Sequence, residues 1–260
     1  IDVVGFDVKQ DEATQLQCIA ENGGGRYYAA NDAAALARSL AEIKKKVVSL
    51  KPIFRDDFDG DSIGEQWEVV NPDPDNAIVE EGMLQIVTQV PEKKLFNAKN
   101  LLLYKGDLPK EYEVDARVIS SLVREGGCSI GGVNSPFVGI VLKQDDDNAI
   151  LLAGGRSLDA CSNAQAVLFL RLKKGKWQPG YWMNLGDPVM DRPLRLNLRR
   201  MQRKFIGSFS TDDGKTWKAL GSFTILRAHF RLGLMAARGS GETHPMLDKV
   251  DWIELRDLKR

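Results

Sequence analysis

Histidine is nearly missing from this chain: His229 and His244 are the only two among 260 residues. They are too few and too isolated for a catalytic triad or a histidine-built zinc site. Net charge is missing as well, with 36 basic against 36 acidic side chains. The balance also holds by region, with six against seven in residues 1–50 and 30 against 29 beyond. No overall field therefore recruits nucleic acid or an anionic membrane, and neither is expected as a partner. No apolar run approaches the roughly 20 residues of a membrane span. The chain opens on Ile1-Asp2-Val3-Val4-Gly5-Phe6, without methionine or a charged leader, and reads as a fragment or a processed product.

What is present falls into two grammars. Residues 1–50 alternate strand and helix. Ile1–Val8 is a continuous apolar run suited to a buried parallel strand, and Asp11–Glu21 spaces Ala13, Leu16, Ile19 and Ala20 as one helical face. Gly23-Gly24-Gly25 ends that helix, and Arg26–Ala30 is a short strand. Asn31 or Asp32 caps a last helix with Leu36, Leu40, Ile43 and Val47 on one face. The segment is a βαβα unit. Its Val3-Val4-Gly5-Phe6-Asp7, Gly24-Gly25 and Tyr27-Tyr28-Ala29-Ala30 resemble the C-terminal end of a von Willebrand factor A domain. That family's metal-binding D-x-S-x-S motif has no counterpart here. The resemblance implies the remainder of such a domain, or a neighbouring subunit, as partner of residues 1–50.

Val48–Pro52 is read as a linker, and residues 51–260 as a second domain. From Phe54 onward about eleven short strand-like runs are separated by turn residues, with no convincing helix, which indicates an antiparallel two-sheet sandwich. Ser210-Thr211-Asp212-Asp213-Gly214-Lys215-Thr216-Trp217 is the clearest local signal. Asp-Asp-Gly tolerates the left-handed backbone of a tight hairpin, and Trp217 can fold over the turn. The string resembles the Asp-box of sialidase propellers and the hairpin of concanavalin A-like jelly rolls. It occurs once, which disfavours a propeller. Phe54-Arg55-Asp56-Asp57-Phe58 with Trp67, Glu81–Ile86, Val138–Leu142 with Asp145–Asn148, and Asp251–Leu255 resemble further concanavalin A-like motifs in the family's order. The expected fold is thus mainly β, a jelly roll preceded by a small α/β segment.

Many relatives of that fold cleave glycans, which takes two carboxyl groups about 5–9 Å apart. The family's E-x-D-x-x-E signature is nearest to Glu111-Tyr112-Glu113-Val114-Asp115-Ala116-Arg117, where Glu111, Glu113 and Asp115 share one face. Position i+5 is Ala116, so no catalytic residue is assigned, and the alternation reads as a solvated strand face. For sugar binding the candidates are Trp177, Tyr181 and Trp182, with Gln178 beside them, because pyranose faces pack on aromatic rings. Trp67, Trp217 and Trp252 are assigned to structure. The resemblance implies a structural calcium at Asp251, and no other cofactor is expected. Cys18, on the first helix, reads as a buried thiol. Cys128 and Cys161 either pair, which would imply an oxidising compartment, or remain thiols.

These readings lead to a non-catalytic binding and adhesion module, located outside the cell, in the periplasm or at the cell surface, recognising carbohydrate or another surface polymer. The alternatives are a self-assembling structural subunit without a small ligand and a glycoside hydrolase of the jelly-roll type.

Overall fold

A computed structural model describes residues 2–22, 26–49, 52–91, 94–120, 136–156, 165–186, 192–226, 229–238 and 246–259. The chain divides into two compact units, one built on Ile1–Lys51 and one on Pro52–Asp257.

The first unit runs β1 (Val3–Phe6), α1 (Gln10–Asn22), β2 (Tyr27–Ala30) and α2 (Ala33–Ser49). β1 and β2 pair in parallel, with Val3 opposite Tyr27 and Phe6 opposite Ala30. Asp32 caps α2 by accepting from the Ala35 amide at 2.6 Å. The helix faces are narrower than the sequence suggests. Ala13, Leu16 and Ala20 turn inward, while Ile19 and Leu40 are exposed. Cys18 is an exposed free thiol, not the buried one expected, because it lies on nearly the opposite face of the helix from Leu16 and Ala20, two residues from each. No described helix is long and apolar enough to cross a membrane.

The second unit continues with β3 (Phe54–Asp56), β4 (Trp67–Val70), β5 (Ala77–Glu80), β6 (Met83–Val87), β7 (Leu101–Tyr104) and β8 (Tyr112–Ile119). Then come β9 (Phe137–Lys143), β10 (Ala149–Arg156), β11 (Gln165–Lys173), β12 (Lys176–Trp177) and β13 (Tyr181–Asn184). The last are β14 (Pro193–Met201), β15 (Lys204–Ser210), β16 (Lys218–Thr224), β17 (Arg231–Ala237) and β18 (Leu247–Asp257). They build two antiparallel eight-stranded sheets. One has the order β16-β15-β14-β8-β18-β6-β5 with β3 on β18, and the other β12-β11-β10-β9-β17-β7-β4 with β13 on β11. The expected sandwich is present, and several strands outside the expected runs (β5, β12, β13) are short edge pieces.

Alternation explains the layers. Tyr112, Val114, Ala116 and Val118 of β8 point into the core between the sheets, as do Leu194, Leu196 and Leu198 of β14. Val138, Ile140 and Leu142 of β9 meet them from the other sheet. The reverse side of that second sheet is also apolar: Phe137, Val141, Leu151 and Leu168 form a separate buried cluster with Phe96 and Leu101. Gly139 of β9 lies opposite Ala153 of β10. A β-carbon there would land on the Leu152 carbonyl oxygen and the Ala153 Cα. Gly139→Ala is expected to cost about 1–3 kcal/mol of stability in urea unfolding. A change under a few tenths would show that the two strands can part freely.

Two two-residue turns, Glu81-Gly82 and Lys174-Gly175, place both central residues at positive φ, as does Asp213-Gly214 within the longer loop between β15 and β16. In the last, Asp212 accepts from the Thr216 amide at 2.8 Å and the Thr216 hydroxyl at 2.6 Å. With Ser210 also donating to it, the Asp212 carboxyl is pulled down to about 2, the Thr216 hydroxyl contributing most. The octapeptide is therefore a self-bonded hairpin, as the sequence implied.

Candidate functional site

The residues of β8 that face away from the core are Glu113, Asp115 and Arg117, and their neighbours decide what they become. β14 places Arg199 opposite Glu113 and Asn197 opposite Asp115. On the other side β18 places Arg256 opposite Glu113 and Glu254 opposite Asp115. Of these, Glu113, Asp115, Asn197, Arg199 and Arg256 line a cleft of about 460 Å³ together with Arg195, Ile206, Ser208, Gly214, Trp217 and Ala219, and Glu254 lies beside it.

The carboxyl groups in and beside it are not solvated, which corrects the reading of this strand face from sequence. Asp115 is 2% exposed, Glu254 3% and Glu113 9%. Each is held by arginine. Arg195 donates to Asp115 at 2.5 Å through Nη2, and Arg199 to Glu113 at 2.9 Å through Nε. Arg256 reaches Glu113 at 3.2 Å and also pairs with Glu254, which accepts from Arg55 at 2.9 Å. Burial of this kind is tolerated because each carboxylate meets a charged donor. Asp115 nevertheless differs from an ordinary aspartate. Burial pushes its carboxyl up to about 6; Arg195 opposes the rise, and Glu254 and Glu113 add to it. The result is a carboxyl that holds its proton to higher pH than an ordinary aspartate, two residues from Glu113 on the same strand face.

Tryptophan rings frame the arginines. The Arg195 guanidinium lies 5.4 Å from the Trp217 ring and 4.9 Å from Trp252, and Arg55 covers Trp252 at 4.7 Å. Arg195 also donates to the Asp213 carbonyl at 3.2 Å, which ties the hairpin turn to the Asp115 side of the cleft. Trp217 is 40% exposed, at the rim of the cleft. It packs on Arg195. A second hollow, about 580 Å³, is lined mainly by Ile63, Val69, Pro72, Pro74 and Ile78 and has no such acid–arginine array.

The residues expected to bind sugar lie elsewhere and do not share one surface. Tyr181 packs its ring on Phe169 and Phe223 and donates to the Ser222 carbonyl at 3.1 Å. Trp182, paired with Leu168, and Trp177, paired with Leu172, turn to the opposite side of their sheet. Trp177 packs against the apolar cluster there, whereas Trp182 is exposed. Gln178 turns its side chain back to the Lys176 carbonyl. Asp251 is engaged with Arg117, and no group of three metal-type ligands occurs among the described residues, so the residues around Asp251 do not fit a calcium ion. Asp56 is committed to the Trp67 indole and the Gln66 amide, both at 2.6 Å. Cys128 and Cys161 lie outside the described residues.

No family model and no curated protein matches the sequence. Solved structures do match. The GH43B protein of a Bacteroides ovatus xyloglucan locus is 18% identical with a TM-score of 0.61, over 80% of this chain and 40% of that one. BlXynB, a GH43 protein of Bacillus licheniformis, is 18% identical with a TM-score of 0.62, over 78% and 39%. The catalytic domain of a Thermotoga petrophila laminarinase, an endo-1,3-β-glucanase, is 11% identical with a TM-score of 0.54, over 81% and 99%. The chain thus spans about 40% of the length of the GH43 proteins it matches. At such identities the likeness establishes a concanavalin-like β-sandwich, and it gives no support for a von Willebrand A domain. It also overturns the expected non-catalytic adhesion module: the matched folds are those of glycoside hydrolases, and the carboxyl groups set aside as a solvated face are buried in a cleft.

Proposed function

We propose that this chain serves in glycoside hydrolysis, with the glycan lying across the outer cleft of the sandwich. One observation carries the reading: Asp115, its proton affinity raised by burial, shares the cleft with Glu113 two residues away on the same strand face. That spacing corresponds to about 7 Å, within the range over which two carboxyl groups flank a glycosidic bond. Asp115 would hand its proton to the leaving glycosidic oxygen, while Glu113, gripped by Arg199 and Arg256, would take a proton from the water whose oxygen bonds to the anomeric carbon as the glycosidic bond breaks. Trp217 offers a ring against which a sugar face can pack.

Release of reducing ends from xylan, arabinan, xyloglucan and laminarin tests this. Asp115→Asn is expected to lower the rate by about 10²–10⁴-fold, the usual worth of a positioned general acid. Cleavage that persists in both Asp115→Asn and Glu113→Gln would refute the assignment, as would no cleavage of any glycan.

For the first unit we infer the close of a von Willebrand A domain. The supports are its sequence motifs and the βαβα order with parallel β1 and β2. A D-x-S-x-S motif ahead of Ile1 in the encoded protein would bear this out, and its absence would remove it. An extracellular, periplasmic or surface location accords with both readings.

A further inference from the structure

The charges of the whole chain cancel, yet they are unevenly placed on the sandwich. From Pro193 to Thr224, β14, β15, β16 and their turns hold seven lysines and arginines against two acids, an excess of five positive charges. Both acids are already deducted in that excess, and neither faces the free lysines and arginines of the wall. Asp212 is bonded within its own turn, and Asp213 faces Arg117 of β8 at 3.4 Å. These three strands are one end of their sheet and one wall of the cleft. Within the cleft Arg195, Arg199 and Arg256 are matched by Asp115, Glu113 and Glu254, so the excess lies with the remaining lysines and arginines of the wall. Arg199 spends its Nε and Nη2 on a single oxygen of Glu113, and its side chain is 45% exposed. Lys204 is exposed and falls on the same outward side of β15 as the cleft residues Ile206 and Ser208.

Guanidinium forks fit planar anions better than they fit neutral hydroxyls, and an unbalanced cationic wall lowers the cost of bringing a polyanion to it. We propose that the cleft takes a glycan bearing anionic groups, carboxylate or sulfate, met by Arg199 and Lys204, with Trp217 against a sugar face. This rests on the glycan reading above and names the substrate class within it.

The test is binding of the purified chain to four polymers: polygalacturonate (carboxylate only), dextran sulfate (sulfate only), laminarin (neutral) and single-stranded DNA. At low salt at least one acidic glycan is expected to bind about tenfold more tightly than laminarin, with the advantage shrinking as salt rises. Which acidic polymer binds identifies the anion. Lys204→Gln, a surface change that keeps the fold, should reduce the advantage about two- to threefold. Arg199→Gln should remove most of it, with a thermal melt confirming that the protein is folded. Equal affinity for laminarin overturns the proposal, as does DNA binding as tight as either acidic glycan. An acidic preference unmoved by both substitutions does so too. If laminarin is cleaved while neither acidic glycan binds, hydrolysis stands and the anionic specificity falls. If an acidic glycan binds through Arg199 and nothing is cleaved, the reverse holds.

Discussion

Phe169→Ala is expected to destabilise the sandwich by about 3–5 kcal/mol, read from chemical denaturation. Phe169 lies on β11 of one sheet and is fully buried. Its ring centroid is 4.7 Å from that of Phe223 on β16, in the other sheet. Gly207 of β15 comes so near that a β-carbon there would sit 2.7 Å from the Phe169 Cγ. Truncation would empty a space walled by two sheets whose backbones are fixed by their ladders, so little collapse can offset the cavity. Phe169→Leu keeps most of the volume and should cost about half as much or less. A loss below about 1 kcal/mol for the alanine variant would mean that Tyr181 and Phe223 close over the gap, and that this end of the sandwich does not depend on the ring.

Asp115→Asn should reverse its effect on stability across a narrow pH range. The folded carboxyl titrates at about 6, above its ordinary 3.8. Between those values the native state holds a proton that the unfolded chain has released. Stability therefore falls as pH rises through this window, by about 1.4 kcal/mol per unit and about 3 kcal/mol in all. Asparagine cannot ionise, so the variant escapes that decline. Below pH 4 the two proteins should differ little from one another in slope, and from pH 4 to 6 the wild type should lose ground steadily to the variant. Above 6 the gap should level off. Urea unfolding at a series of pH values gives the difference curve directly. If the wild type gains on the variant through the same range, the Arg195 ion pair outweighs burial, and Asp115 is not the proton carrier on which the hydrolytic reading relies.

Features whose cause is local were legible in the sequence. Alternation along Tyr112–Ile119 and Pro193–Met201 announces strands because side chains on a pleat must face two ways. The Asp213-Gly214 hairpin is written in residues that accept left-handed backbone and bond to their own turn. The two-sheet sandwich follows from many such short strands, and its concanavalin-like kind from the resemblance of several motifs in order. The helices of the first unit were also legible, though not which of their apolar residues stay exposed.

The candidate site was not legible, since its partners are remote. Arg195 is 80 residues from Asp115, and Arg256 143 from Glu113. Nothing along Glu111–Arg117 distinguishes acids facing water from acids facing arginines. The placement of the aromatics at Trp177–Trp182 was illegible for a related reason: nearness along the chain says nothing about which side of a sheet each ring takes. Tyr181 packs against Phe169 and Phe223 on one side of its sheet and Trp182 lies on the other, both of them exposed. By itself, then, the sequence determined the strands, the turns and the layered class of this protein, all of which depend on periodicity over a few residues. Only the tertiary structure decided the chemistry of β8, because strand order brings β14 and β18 to its two sides, and burial between them turns ordinary surface acids into a charged, desolvated array.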